Sequence, residues 1–179
     1  FKNFAYRLQT ETGKSRPISK LVTDNGGEYL SLEFESFCES MGIEHITSCA
    51  YSPQQNGVAE RANRTILEGA LTMMAQHNTP KHFWTFAVVY AAYIRNRLPS
   101  QTLGGVIPYR RRFDKDANMS KIKTFGCRAY ARIPDPERRK LDYKATECRF
   151  LGISANQNGF IVVLASGRIA VVRDVQSFD

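Results

Sequence analysis

The sequence predicts an α/β layer domain followed by a small β barrel, and three observations predict it. Up to Leu98, β-branched runs alternate with stretches of helical periodicity in the order helix, strand, helix, strand, helix, helix. Past Pro99 the helical period gives way to a stretch with Gly104-Gly105 and Pro108, then to closely spaced strand-like runs. Turn chemistry at Asn158-Gly159 and Ser166-Gly167 separates those runs, as antiparallel hairpins require.

The elements follow in chain order. Phe1, Phe4 and Leu8 recur at helical spacing, and Gly13 can take the left-handed conformation that closes a helix. Pro17 to Thr23 reads as a strand ending at Asp24, and Asn25, Gly26 and Gly27 break it. Leu30, Phe34, Phe37, Cys38 and Met41 then lie on one helical stripe, with Ser31 as N-cap and Gly42 as closing residue. Ile43 to Cys49 alternates like a second strand. Tyr51 to Gly57 is a polar loop into a long helix, Val58 to His77, and Thr79-Pro80 divides this from a further helix, Lys81 to Arg97. The aromatic residues of that helix, Phe83, Trp84, Phe86, Tyr90 and Tyr93, read as core packing. Ser100 to Ser120 keeps no period and reads as a linker. The strand-like runs beyond it are Lys123 to Ile133, Cys148 to Ile153, Phe160 to Ala165 and Ile169 to Val172.

Composition narrows the classes of function. With 42% apolar and 23% charged residues over 179 positions, the chain is a folded protein rather than a disordered one. No apolar run approaches the roughly 20 residues of a membrane helix. Cys38, Cys49, Cys127 and Cys148 are widely spaced without a CxxC pair, which points to reduced structural thiols rather than a zinc module or a disulfide framework. His77 and His82 straddle Pro80 and share no helix face, so these and His45 read as core or surface residues, not ligands. The net charge of +8 favours an anionic partner. That charge is unevenly held: residues 1–98 carry 10 basic and 9 acidic groups, residues 99–179 carry 15 and 8. Arg110, Arg111 and Arg112, and Arg138, Arg139 and Lys140, form its two runs. They are a natural phosphate-binding surface, or else a solvated loop face.

Two carboxylates invite a chemical reading. Asp24 follows an apolar strand, at the carboxyl edge where open α/β sheets bind ligands. Glu60 lies in the first turn of the long helix. An Asp at a strand end and a Glu on a helix, both beside glycines, offer hard oxygen ligands to a divalent cation. The plain alternative has Asp24 closing an Asx-turn over Asn25-Gly26 and Glu60 favouring the helix N-terminus electrostatically. An acid/base pair for glycoside hydrolysis has no sugar-stacking aromatic residue near either acid.

The segment LVTDNGGEYLSLEFESFC, followed by YSPQQNGVAERANRTILE with 35 residues between Asp24 and Glu60, resembles the second and third acids of the DDE motif in retroelement integrases. The match is closest to copia-type retrotransposons, and it extends through the Phe83-Trp84 helix, Asn96 to Ser100 (NRLPS), Gly126 to Tyr130 (GCRAY) and Phe150 to Ser154 (FLGIS). This resemblance implies an RNase H-like core lacking its first strands, residues 1–98, a linker, 99–120, and a small SH3-like β domain, 121–179. It implies metal-dependent 3′-end processing and strand transfer, with Mg2+ or Mn2+ as cofactor. Asp24 and Glu60 would be catalytic and metal-binding, and Asn25, Gly26 and Gly27 would shape the turn. Gln54, Gln55 and Asn56 would touch DNA, and Arg61 and Arg64 would contact phosphate. Element ends and target DNA are the implied partners, with a homo-oligomer as the working form and the nucleus as its place of action.

One part of the pattern is missing. The family's first catalytic Asp lies on a strand upstream of a helix resembling Phe1 to Thr12, whereas no Asp precedes Asp24 and Glu11 sits at a helix end. The chain therefore reads as starting in mid-domain, with an incomplete triad and no end joining of its own. The competing reading is a degenerate or repurposed copy that binds nucleic acid without catalysis. Arg110 to Arg112 is a departure from the mixed acidic and aromatic stretch that related elements carry after Pro-Tyr.

Overall fold

The computed structural model describes residues 1–48, 57–134 and 138–178. The chain divides into two compact units, Phe1–Asn63 and Arg64–Asp179.

In the first unit, helix α1 (Lys2–Thr12) closes at Gly13, as its spacing predicts. Strand β1 (Lys20–Thr23) is shorter than the sequence run. Pro17 has no N–H for a ladder, so pairing starts only beyond it. Helix α2 (Leu32–Ser40) is capped by Ser31, whose Oγ accepts the Phe34 N–H at 3.3 Å. Leu30, assigned to this helix by spacing, lies ahead of the cap and is exposed. Strand β2 (Glu44–Thr47) pairs parallel with β1 in the register Lys20↔Glu44 to Thr23↔Thr47. A parallel pair needs a crossover connection, and α2 supplies it. The core beneath consists of Ala5, Phe34, Phe37, Cys38 and Ile43, with Phe1 stacked obliquely on Phe34 at 5.7 Å.

Helix α3 (Gly57–Gln76) continues from the first unit into the second. In the second unit a 3-10 turn, Lys81–Phe83, precedes helix α4 (Trp84–Arg95), so the predicted Lys81 to Arg97 helix has a tighter first turn and stops two residues sooner. Phe83 and Tyr90 are buried as predicted, while Trp84 stands exposed at 56%. The stretch read as irregular is partly helical: α5 (Pro108–Phe113) starts with Pro at its first turn, where a missing N–H does no harm. Arg97 holds this region. Its guanidinium sits 3.4 Å from the Tyr93 ring centre and 4.8 Å from that of Tyr109, and the Tyr109 N–H donates to the Asn96 carbonyl at 2.9 Å.

Five antiparallel strands follow: β3 (Arg128–Arg132), β4 (Ala145–Ile153), β5 (Phe160–Leu164), β6 (Ile169–Val172) and β7 (Val175–Phe178), in sheet order β6-β5-β4-β3-β7. The turn from β5 to β6 uses Gly167 at φ 82, closing a three-residue loop in which the Gly167 N–H donates to Leu164 O at 2.8 Å. The run predicted to start at Lys123 is regular strand only from Arg128, although Gly126 and Cys127 already exchange backbone hydrogen bonds with Phe150. Gly126, at φ 77, breaks it, and Phe125 turns into the core. A Cβ at Gly126 would fall on the Thr79 hydroxyl, so both the angle and the space require glycine there. The main core joins Ala70 and Met74 of α3, Ala87, Tyr90 and Ala91 of α4, and Phe125, Cys127, Phe150 and Leu151. Cys38, Cys127 and Cys148 are buried free thiols, as expected of structural cysteines; Cys49 lies outside the described residues. Among the described residues no helix is long and apolar enough to cross a membrane.

Candidate functional site

The parallel pair β1 and β2 sets the candidate site. Beyond Thr23 the ladder ends with the Ser48 N–H donating to Thr23 O at 2.8 Å, and Asp24 is the first residue past that edge. Its Oδ1 accepts the Gly26 N–H at 3.2 Å, which is the Asx-turn expected of Asp-Asn-Gly. The Asn25 amide donates to Ser48 O at 3.0 Å and ties the turn to the end of β2. The Gly26 carbonyl accepts from the Tyr29 N–H at 2.9 Å, so the breaker residues form an ordered double turn. Asn25, Gly26 and Gly27 thus occupy the turn, as their composition predicts.

Gly26 also explains a residue that the sequence reading missed. A Cβ at this position would come within 2.8 Å of Glu28 Oε2 and 3.2 Å of Asp24 Oδ1. Glycine therefore leaves room for two carboxylates, Asp24 and Glu28, on either side of one backbone position. The available signal was the spacing itself, Asp-x-Gly-x-Glu, which a turn folds back on itself.

Glu60 is exposed in the first turn of α3. Arg61 lies against the start of the same helix, its Nη1 3.2 Å from where a Gly57 Cβ would be. Arg64 is exposed one turn further, in the second unit. Gln54, Gln55 and Asn56 lie outside the described residues. Among the described residues no group of three His, Cys, Asp or Glu side chains could hold a metal. The donor chemistry of Asp24 and Glu60 suits a hard divalent cation, but these residues by themselves do not make a complete ligand set. Glu11 does not supply the third carboxylate: it ends α1 in an ion pair with Arg7 at 3.1 Å. His45 is engaged in packing. His45 Nε2 shares a hydrogen bond with Thr23 Oγ1 at 2.9 Å, and its ring meets Phe34 edge-on.

The basic runs are solvent-facing. Arg110, Arg111 and Arg112 are exposed on α5, Arg110 reaching Asp116 at 3.5 Å and Arg112 lying 5.0 Å from the Phe113 ring centre. Arg139 and Lys140 are exposed and Arg138 is half-buried, and the Arg139 N–H donates to Asp142 at 2.8 Å.

Residues 127–179 match the family model of the retroviral polymerase SH3-like domain. Over 160 residues, 89% of this chain, the sequence is 44% identical to the Pol polyprotein of transposon TNT 1-94 from Nicotiana tabacum. It is 36% identical over the same length to that of transposon RE2 from Arabidopsis thaliana. Over most of its length the chain is thus similar to copia-type retrotransposon Pol polyproteins, and it spans 12% and 11% of the length of these two relatives. Among solved structures, the HTLV-2 integrase catalytic core domain in complex with magnesium aligns over 62% of this chain and 68% of its own, at 24% identity and a TM-score of 0.43.

Proposed function

We propose that this segment serves DNA integration. Residues 1–98 are the latter part of an RNase H-like catalytic core, 99–120 connect it, and 121–179 are a β domain that holds DNA. The observation that carries the reading is the relationship to copia-type Pol polyproteins over 89% of the chain, in which Asp24 stands past the edge of a parallel strand pair. Asp24 and Glu60 supply two carboxylates toward Mg2+ or Mn2+. Such a metal, when bound, activates the attacking oxygen and offsets charge on the leaving oxygen in phosphoryl displacement. The Asx-turn orients the Asp24 carboxylate, Gly26 keeps the space beside it open, and Glu60 approaches from a helix N-terminus. Arg61, Arg64 and the exposed arginines of α5 bind phosphates and fix the position of DNA without reading sequence. The complete protein works in the nucleus as a homo-oligomer on element ends and target DNA.

Residues 1–23 bring Glu11 alone as a carboxylate, and that group is in an ion pair, so the 179-residue chain binds DNA without joining ends. The test incubates the purified chain with labelled element-end duplex and plasmid target in Mg2+ or Mn2+. The expected result is duplex binding that weakens steeply with salt and no joined product. Joined product that disappears on Asp24→Asn would overturn the incomplete-triad reading, and absence of any DNA binding would overturn the integration reading.

A further inference from the structure

Two concavities of the β region, about 660 and 230 Å³, share Phe160 and Asp174 in their walls. The larger falls within the roughly 300–1,000 Å³ of typical small-molecule sites. Lys123, Arg132 and Lys144 line the larger and Arg173 the smaller, and among the described residues Asp174 is the one carboxylate in either wall. This cationic basin is separate from the arginines of α5, and of its lining only Arg138 belongs to a basic run of the sequence.

Its aromatic content distinguishes it from a simple phosphate patch. Phe160 is half-buried, meeting Phe150 edge-on at 6.1 Å, while the Lys123 ammonium stands 5.7 Å from its ring centre. Tyr130 lies in the wall of the same concavity. The Lys123 backbone is fixed from below: its N–H donates to the Tyr90 phenol at 3.0 Å and its carbonyl accepts from that phenol at 2.7 Å. A duplex presents base edges and two ridges of phosphate to a surface, and its stacked bases cannot enter a recess. An unstacked base can, and an aromatic ring ringed by cations is the surface on which single strands stack.

We propose that the β domain binds single-stranded nucleic acid, with one unstacked base against Phe160 and the adjoining phosphates held by Lys123, Lys144 and Arg173. The assignment shares with the integration reading only its ligand class, nucleic acid. A base bound here has left its duplex, so the site takes the free strand of a frayed or processed end, or an RNA strand.

Fluorescence anisotropy with the full 179-residue chain tests it, using labelled oligo(dT) and oligo(rU) of about 15 nucleotides, a duplex of equal length and a polyglutamate competitor. Oligo(dT) is expected to bind about tenfold or more tighter than the duplex, and the oligo(rU) arm identifies which single strand is preferred. Phe160→Leu is expected to weaken single-strand binding about fivefold or more and to leave duplex binding unchanged. Lys144→Gln, at an exposed position that folding does not require, is expected to lower the salt slope for the single strand by about 0.7. Duplex binding as tight as single-strand binding overturns the proposal, as does equal displacement by polyglutamate, or no effect of either substitution in chains with unchanged thermal melting. Arg111→Gln separates the two readings. Loss of duplex binding there with single-strand binding retained supports both sites as assigned, whereas failure of duplex binding in the unsubstituted chain sinks the integration reading alone.

Discussion

Tyr90→Phe removes a single oxygen from the centre of the second unit, and the structure sets the size of the effect. Tyr90 is 2% exposed, among Phe125, Phe150 and Tyr93. Its hydroxyl donates to the Lys123 carbonyl at 2.7 Å and accepts the Lys123 N–H at 3.0 Å. Two hydrogen bonds at about 1 kcal/mol net each give a loss of about 2 kcal/mol, with no cavity to add because the ring remains. For a unit of this size that is a fall in Tm of roughly 6–8 °C. The same phenol makes the gap depend on pH. Burial pushes the Tyr90 phenol up to about 12, from about 10 in an unfolded chain. A folded pKa above the unfolded one means that the native state holds the proton more tightly. The contribution is therefore complete below pH ~10 and is lost as pH rises from about 10 to 12, at most about 2.7 kcal/mol. Urea unfolding of both proteins at neutral pH and at several values between about 9 and 12 measures the gap. The expected result is a gap of about 2 kcal/mol at neutral pH that closes above pH ~10. A variant as stable as the parent at neutral pH, or a gap that does not change with pH, would refute the reasoning.

Two further outcomes follow from the same core. Gly126→Ala combines a φ of 77 with a Cβ on the Thr79 hydroxyl and 3.2 Å from His77 Cβ, so a loss of about 3 kcal/mol is expected in chemical denaturation. Adding Thr79→Ala should recover the steric part and leave the backbone part, a partition that full recovery or none would contradict. Burial pushes the Cys148 thiol up to about 11, which leaves little thiolate near pH 8. Mass-mapped alkylation should label Cys148 in urea far faster than in the native chain, and equal rates would show the site to be open.

Local signals made most of the helices and the inner strands legible. The stripe of Phe34, Phe37 and Cys38 behind a Ser N-cap placed α2, and Ile169 to Val172 coincides with β6 because a Gly-bearing turn precedes it and its residues are all apolar. What was missed depended on partners distant in the chain. Strand β7 is four residues with a polar centre, and it exists because β3, more than forty positions earlier, offers a free edge in the register Ala131↔Val175. Helix α5 has too few apolar residues to show a period, and its order comes from Tyr109 packing on Arg97. At the candidate site the Asx-turn was readable from Asp-Asn-Gly, since it lies within three residues. Glu28 was not, because the closeness of its carboxylate to Gly26 is a product of the turn. The basin around Phe160 was still less so: Lys123 and Phe160 meet only when β5 pairs with β4, and a tyrosine from α4 fixes the position of the lysine.

The two readings of Asp24, turn former and metal ligand, need not compete. A carboxylate has about four acceptor positions on its two oxygens, and the Gly26 N–H occupies one of them. The turn leaves the rest of the group exposed at the sheet edge while fixing its direction, which lowers the ordering needed when a cation arrives. An Asn side chain keeps the turn, because its carbonyl oxygen can accept the same N–H, but it brings no negative charge. Asp24→Asn therefore separates architecture from chemistry, whereas Asp24→Ala would remove both and report on neither. Stability unchanged to within about 0.5 kcal/mol, with divalent-ion affinity lost, is the combination that the dual role demands. A destabilised Asn variant would mean that the charge itself holds the turn, and the carboxylate would then be architectural first.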